Sequence, residues 1–551
     1  MTPARTDEYR LGPLGAAVGK RLAAWDAARF GKRLWRGDAS LWVTGPAAEI
    51  SDRLGWLRLP ESMPARIPAF RAFAEEIRAE GVERVVLLGM GGSSLAPELY
   101  QRTLGGAPGH PPLIVLDSTH PAAVAAVERA IDIRRTLFVV SSKSGTTIEP
   151  LSFFRYFWEK AGRIDARPGR RFAAISDPGT PLQALARERG FRRAFEALPD
   201  VGGRFSALTD FGLVPAALIG ADAGALLASA QAAAAADGPD VPAAESPGLR
   251  LGAALGELAL AGIDKLTIRT SPGLRSFPDW LEQLIAESTG KDGRGIVPVA
   301  GEPASRVALE APDRAFVVLS LAGEDRQALD EEVLALESAG RPVIRITLAD
   351  PAGLGREIFH WELAVAAASS ALGVHPFNQP DVELAKDLAR KAMAARAEGG
   401  AAEAVPAVEA RDVPALGEAV ASWRAGVRAR DYVSLQAYLG PGPEIDRGLD
   451  LVRERLLAAT GRPVTLGRGP RFLHSTGQLH KGGPDEALVL QIVDAPAPDL
   501  PVPETAFDFG TLVRAQADGD LQALRRRGRR VLRIDCDSDA PGGLARLAGL
   551  L

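Results

Sequence analysis

The sequence predicts an α/β protein built on parallel sheets, and three observations predict it. Short, continuously apolar runs recur, as Val85-Val86-Leu87-Leu88, Leu113-Ile114-Val115-Leu116, Leu137-Phe138-Val139-Val140 and Phe172-Ala173-Ala174-Ile175. Strands apolar on both faces belong in sheets covered by helices on either side. Helical stretches such as 121–130 separate these runs, which is the alternation of a doubly wound sheet. A second series of the same kind follows at 264–269, 315–319 and 343–346, accompanied by helical patterns at 280–288 and 359–372.

Each region follows from its own pattern. Residues 1–80 read as a helical segment, with Trp25, Leu34, Trp42 and Trp56 spaced as packing anchors. Residues 81–236 hold the first α/β series and end in an Ala-rich helix at 221–236, which Asp237-Gly238-Pro239 breaks. Residues 237–397 hold the second series. A stretch rich in Ala, Gly, Glu and Pro at 398–414 reads as a linker or weak helix, opening a C-terminal α/β extension over 398–551 with strands at 463–466, 487–493 and 531–534. The likeness of the two series suggests a duplication.

The totals exclude several classes. A chain of 551 residues is too long for one core, and its 46% hydrophobic and 24% charged content is that of a globular protein. A net charge of −4 gives no footprint for nucleic acid or an anionic membrane. The basic run Arg525-Arg526-Arg527-Gly528-Arg529-Arg530 reads as a solvated helix end. No apolar run reaches the roughly twenty residues of a membrane span, and no secretory h-region follows the N-terminus. The single Cys536 cannot form an internal disulfide. A cytoplasmic location is expected.

The most telling loop is Ser141-Ser142-Lys143-Ser144-Gly145-Thr146-Thr147, directly after a strand and before a helix. Short hydroxyls can donate to phosphate oxygens, Lys143 adds a point charge, and the free N–H groups of the helix start face the same anion. The bland alternative is a turn with N-capping hydroxyls. Gly89-Met90-Gly91-Gly92-Ser93-Ser94 also follows a strand, but lacks the glycine spacing of a dinucleotide loop and the lysine of a P-loop. Its hydroxyls suit a sugar or phosphate ester. Glu287 ends the helical stretch Gln283-Leu284-Ile285-Ala286-Glu287, where the helix dipole disfavours a carboxylate and so raises its proton affinity toward that of a base. Gln283 lies one turn earlier on the same face. The six histidines show no zinc spacing, and no serine sits in a nucleophile elbow.

Five stretches then occur in order: 89–97, the Ser142-Lys143-Ser144-Gly145-Thr146-Thr147 loop, Val201-Gly202-Gly203-Arg204-Phe205-Ser206, Ala286-Glu287-Ser288-Thr289-Gly290-Lys291, and 373–386 with Phe377-Asn378-Gln379-Pro380. Together they resemble the glucose-6-phosphate isomerases, most closely the isomerase half of bacterial fusions with transaldolase. The transaldolase half is not expected here. The resemblance implies two sugar-isomerase (SIS) domains, each a three-layer αβα sandwich, beside the C-terminal extension. It implies interconversion of glucose 6-phosphate and fructose 6-phosphate through a cis-enediol, without metal or organic cofactor. Glu287 would move the proton and Arg204 would steady the enediolate. Ser142, Lys143, Ser144, Thr146 and Thr147 would hold the phosphate, with Gly92, Ser93 and Gln283 near the sugar. Lys386 matches the family's lysine of ring opening.

The family's ring-opening histidine falls in a Leu-His-Ser-x-Gly-Gln stretch between the glutamate and lysine motifs. Here that stretch is Leu473-His474-Ser475-Thr476-Gly477-Gln478, after Lys386, an order that resembles the fusion-type isomerases. His474 is therefore the candidate and His480 its rival, while His375 reads as incidental. The resemblance also implies a homodimer whose site borrows the histidine from its neighbour. Two alternatives stay open: a sugar-phosphate-binding regulator without catalysis, and an isomerase of a related hexose 6-phosphate.

Overall fold

The structure, a computed structural model, describes residues 5–45, 48–305, 310–382 and 406–551, with 387, 388, 390 and 393 between. Lys386 lies outside the described residues, as do residues 398–405 of the expected linker.

The described residues form three five-stranded sheets. An N-terminal strand β1 (Arg5–Arg10) precedes the first sheet, which is built from β2 (Arg84–Gly89), β3 (Leu113–Leu116), β4 (Thr136–Ser141), β5 (Phe172–Ser176) and β6 (Arg193–Glu196) in the order β3-β2-β4-β5-β6, all parallel. The second sheet takes β7 (Lys265–Thr270), β8 (Val297–Ala300), β9 (Arg314–Leu321) and β10 (Val343–Leu348) in the order β8-β7-β9-β10, and β1 pairs antiparallel with β10 at its edge. The third sheet takes β11 (Val408–Glu409), β12 (Tyr432–Tyr438), β13 (Val464–Arg468), β14 (Ala487–Val493) and β15 (Arg530–Asp535) in the order β13-β12-β14-β15-β11, all parallel.

All three sheets are wound alike. In each, the first core strand sits inside, the second lies on one side of it, and the third and fourth step out on the other. Each therefore has one reversal of strand order, between β2 and β4, β7 and β9, and β12 and β14. A crevice opens beyond the carboxyl ends of the strands at such a reversal. The C-terminal extension is thus a third sheet of the same winding as the expected pair.

Two segments depart from the expected boundaries. Residues 5–10, expected in a helical segment, are a strand whose inward side chains Arg5, Asp7 and Tyr9 alternate with exposed ones. Arg5 Nε donates to Glu357 at 2.6 Å, so a polar hexapeptide is held at the sheet edge by a partner far along the chain. The helix Ala223–Ala236 packs with Leu354–Leu372 of the second unit, as does Pro247–Leu260. Its alanines bury a surface that only another helix can cover.

The largest apolar core is shared by the first two sheets. It takes in Val85, Leu87 and Val139 from one, Leu266, Ile268 and Val317 from the other, and Trp25, Leu34, Trp42 and Trp56 of the N-terminal helices. A smaller cluster of Ala286, Val297, Val299, Tyr432, Leu479 and Val489 joins the second sheet to the third. Phe509 of the third unit packs on the outer face of the first, against Phe153 and Tyr156. These contacts bring the helix ends of all three units around one cleft.

Candidate active site

The cleft, of about 420 Å³, opens at the strand-order reversal of the first sheet. Gly89 and Ser141 are register partners at the ends of β2 and β4, so the loops that follow them leave the sheet side by side. The chain after β4 turns directly into the helix Ile148–Gly162. Thr147 is its N-cap residue yet makes no side-chain bond to the helix backbone. Ser142 Oγ donates instead to Thr147 Oγ1 at 3.0 Å, and Ser142, Lys143, Ser144 and Thr147 all line the cleft. The hydroxyls are therefore not consumed by capping. Thr146 stands beside them, its Oγ1 3.0 Å from Ser144 Oγ, and is not among the lining residues.

Lys143 Nζ is held by Asp177 at 2.5 Å. Burial pushes the ammonium's proton affinity down and that of Asp177 up, against the mutual attraction of the pair. An incoming dianion would relieve that cost at Lys143.

Opposite stands the helix Phe277–Thr289. Glu287 lies two residues before its end, buried, with Arg204 Nη1 3.0 Å from Oε2. This cation offsets the unfavourable helix dipole there. Arg204 reaches it from the turn Gly203–Phe205 and is itself almost enclosed. Its Nε donates to Ser288 Oγ at 2.9 Å, its Nη1 also to Gln379 Oε1 at 3.0 Å, and its Nη2 to the carbonyls of Pro376 and Asn378. Burial lowers the guanidinium's proton affinity and Glu287 restores part of it. A guanidinium with each nitrogen bonded is fixed in place, which is what stabilising a developing charge requires.

His474 comes from the third unit, at the end of the turn Arg471–His474 after β13. Its Nε2 meets Glu149 Oε1 at 2.9 Å, and its backbone carbonyl accepts from Gln283 Nε2 at 2.8 Å. Gln283 thereby links this turn to the helix of Glu287, whose Oε2 is 3.5 Å from the same nitrogen. Two glycines allow the three turns to meet. A Cβ on Gly92 would stand 2.0 Å from the carbonyl oxygen of Gly203, and one on Gly91, at φ +54°, 2.7 Å from that of His474.

Of the sequence candidates, Glu287, Arg204, His474, Gln283, Gly92, Ser93, Ser142, Lys143, Ser144 and Thr147 line this one cleft. His480 does not. It is buried against Tyr432, whose hydroxyl lies 2.9 Å from Nδ1, and Thr476, whose Oγ1 lies 3.0 Å from Nε2. Burial pushes its pKa down to about 3. His375, read as incidental, shapes the wall: its Nδ1 accepts from the Phe377 N–H at 3.1 Å, which holds the turn that wraps Arg204. Lys291 anchors the same turn by donating to the carbonyls of Ser288 and His375.

Sequence reasoning missed Glu149, Asp177, Gln379, Glu49 and Arg53. The last four line the cleft and Glu149 backs it. Glu149, in the first turn of a helix, reads as an ordinary dipole partner, and only its meeting with His474 marks it.

A model of the phosphoglucose isomerase family matches residues 69–295. A glucose-6-phosphate isomerase of Symbiobacterium thermophilum is 31% identical over 398 residues, which are 62% of this chain and 86% of that protein. Among solved structures, a hypothetical protein from Thermus thermophilus superposes with a TM-score of 0.61 at 28% identity, over 70% of this chain and 99% of that one. A glucose-6-phosphate isomerase from Chlamydia trachomatis shares the fold with a TM-score of 0.62 at 20% identity, over 72% of this chain and 90% of that one. The five motifs, the doubly wound sheets and these likenesses agree, and the chain belongs to the phosphoglucose isomerase family.

Proposed function

We propose that this chain interconverts glucose 6-phosphate and fructose 6-phosphate by proton transfer through a cis-enediol. The observation that carries the reading is the convergence in one cleft of a carboxylate, an immobilised guanidinium and an imidazole with a loop of hydroxyls and a lysine. The phosphate would dock on Ser142, Lys143, Ser144 and Thr147, with Thr146 supporting that loop. Gly92, Ser93 and Gln283 would lie along the sugar. His474 and Lys386 would open the ring by moving a proton between O5 and O1. Glu287 would then take the C2 proton and return it to C1, while Arg204 holds the enediolate.

His474 lines the cleft of its own chain. We therefore propose that each subunit works with its own histidine, and that a homodimer, implied by the resemblance, is not needed to complete the site. A cytoplasmic location accords with the family. No helix among the described residues is long and apolar enough to cross a membrane.

The substrate is tested by kcat/KM on glucose, mannose and glucosamine 6-phosphates. Glucose 6-phosphate is expected to lead by at least about tenfold, a discrimination of about 1.4 kcal/mol. A preference for either of the others reassigns the substrate within the same chemistry.

A further inference from the structure

A chain of hydrogen bonds runs behind His474 from the third unit to the first. Thr119 Oγ1, just past β3, donates to Gln516 Oε1 at 2.6 Å. Gln516 Nε2, in the helix Phe509–Arg526, donates to Glu149 Oε1 at 2.7 Å. The same carboxylate oxygen faces His474 Nε2 at 2.9 Å. Thr119, Gln516 and Glu149 are 0%, 5% and 4% exposed. With Glu149 ionised, the direction of every bond follows. An ionised carboxylate only accepts, so the amide NH2 of Gln516 must face Glu149 and its carbonyl must face Thr119, whose hydroxyl then donates.

We propose that Gln516, oriented by Thr119, is a positioning residue for ring opening. It acts through Glu149 on His474, and the proposal rests on the isomerase reading. A donor on Glu149 favours its ionised form, so the proton stays on His474 Nε2 and Nδ1 remains the unprotonated nitrogen. Without the amide, a buried carboxylate loses a donor and competes for the imidazole proton. The helix that carries Gln516 is clamped from below. Arg533 bonds Gln491 Oε1 at 2.7 Å and Ala517 O at 2.7 Å, and Lys481 meets Asp520 at 2.5 Å. This gives the third unit a part in the chemistry beyond carrying the histidine.

The test uses Gln516→Leu, Gln516→Glu and Thr119→Val in the full chain. Two readouts are followed: α/β anomer exchange of glucose 6-phosphate by NMR, which reports ring opening alone, and the pH profile of kcat/KM. Gln516→Leu is expected to slow anomer exchange and kcat about tenfold, the equivalent of one pKa unit, with little change in KM. Thr119→Val should cause a smaller loss of the same kind. Gln516→Glu should recover as pH falls, because a protonated carboxyl donates to Glu149 and an ionised one repels it. The other charged groups near the chain include the His120–Asp494 pair beside Thr119, Arg471 on the turn of His474 with Asp117, whose carboxyl burial pushes up to about 6, Arg514 on the same helix, and Lys481–Asp520 beneath it. All are unchanged in these variants, so they appear equally in the wild-type profile. The near-isosteric glutamate and valine variants keep the test open if leucine impairs folding. Wild-type anomer exchange and an unaltered pH profile in all three variants would overturn the proposal. A wild-type chain that does not isomerise at all would instead sink the isomerase reading.

Discussion

The first and third sheets share one winding and end their strands in opposite ways. At the reversal of the first, Gly89 and Ser141 release two loops of glycine and hydroxyls that leave a cleft open. At the reversal of the third, Tyr438 and Val493 are the register partners, and the chain beyond them is occupied. Asp494 accepts from the Gly440 N–H at 3.4 Å and meets His120 of the first unit at 3.2 Å. In the second sheet, Glu324 plays the same part by accepting from the Gly273 N–H at 2.9 Å. A strand-order reversal thus supplies a crevice, and the side chains beyond it decide whether the crevice binds a ligand or docks a neighbour. The third sheet uses its crevice for docking, and that docking delivers His474 to the cleft of the first and sets Gln516 behind it.

The division of labour can be broken at either end. The largest effect is expected under the third sheet. Lys481→Met leaves Asp520 buried without its cation and should cost about 3–5 kcal/mol, read as a fall in the denaturation midpoint. Unchanged stability would mean that the third unit is not held by this pair. His474→Asn should lower kcat about 100-fold and leave KM nearly unchanged, because the third unit supplies chemistry and not binding. Lys143→Met should do the reverse, raising KM about tenfold with a smaller change in kcat, since a charge-assisted bond to phosphate is worth about 1.5–3 kcal/mol before Asp177 is taken into account. If both variants altered the same constant, the contrast between the two units would fail.

The smallest effect is a pH dependence of stability. His480 has a folded pKa of about 3, below its ordinary 6.5, because burial disfavours the imidazolium. Between those values the unfolded chain binds the extra proton. The stability linked to this group is therefore complete above pH 6.5 and lost on acidification, by at most about 1.4 kcal/mol per pH unit. Denaturation midpoints of wild type and His480→Gln between pH 7 and 5 check it, and the variant should show the shallower slope.

Strands with an unbroken apolar run were legible in the sequence, as β2, β3, β4 and β5 show. The central strand β12 was not, because Ser434 and Gln436 interrupt its apolar pattern. Both are buried, and Ser434 finds partners in Gln436 and His480 that only the folded third unit provides. β1 was missed for the same reason, since its polar side chains make sense only against Glu357. In the site, the loop at 141–147 was legible because its chemistry is contiguous, and Glu287 and Arg204 because the family resemblance carries them. Glu149, Gln516 and Thr119 were not, since each is ordinary in its own segment and acquires a part only where the first and third units meet.

The central claim is that Glu287 moves a proton between C2 and C1 of a hexose phosphate that His474 has opened. Glucose 6-phosphate turned over in D2O, with wild type and Glu287→Gln compared side by side, tests it most directly. Wild type should place deuterium at C1 of the fructose 6-phosphate formed. Glu287→Gln should lose isomerisation and exchange by about 10²–10⁴-fold while still exchanging the anomers. Near-normal isomerisation and exchange in that variant would contradict the account.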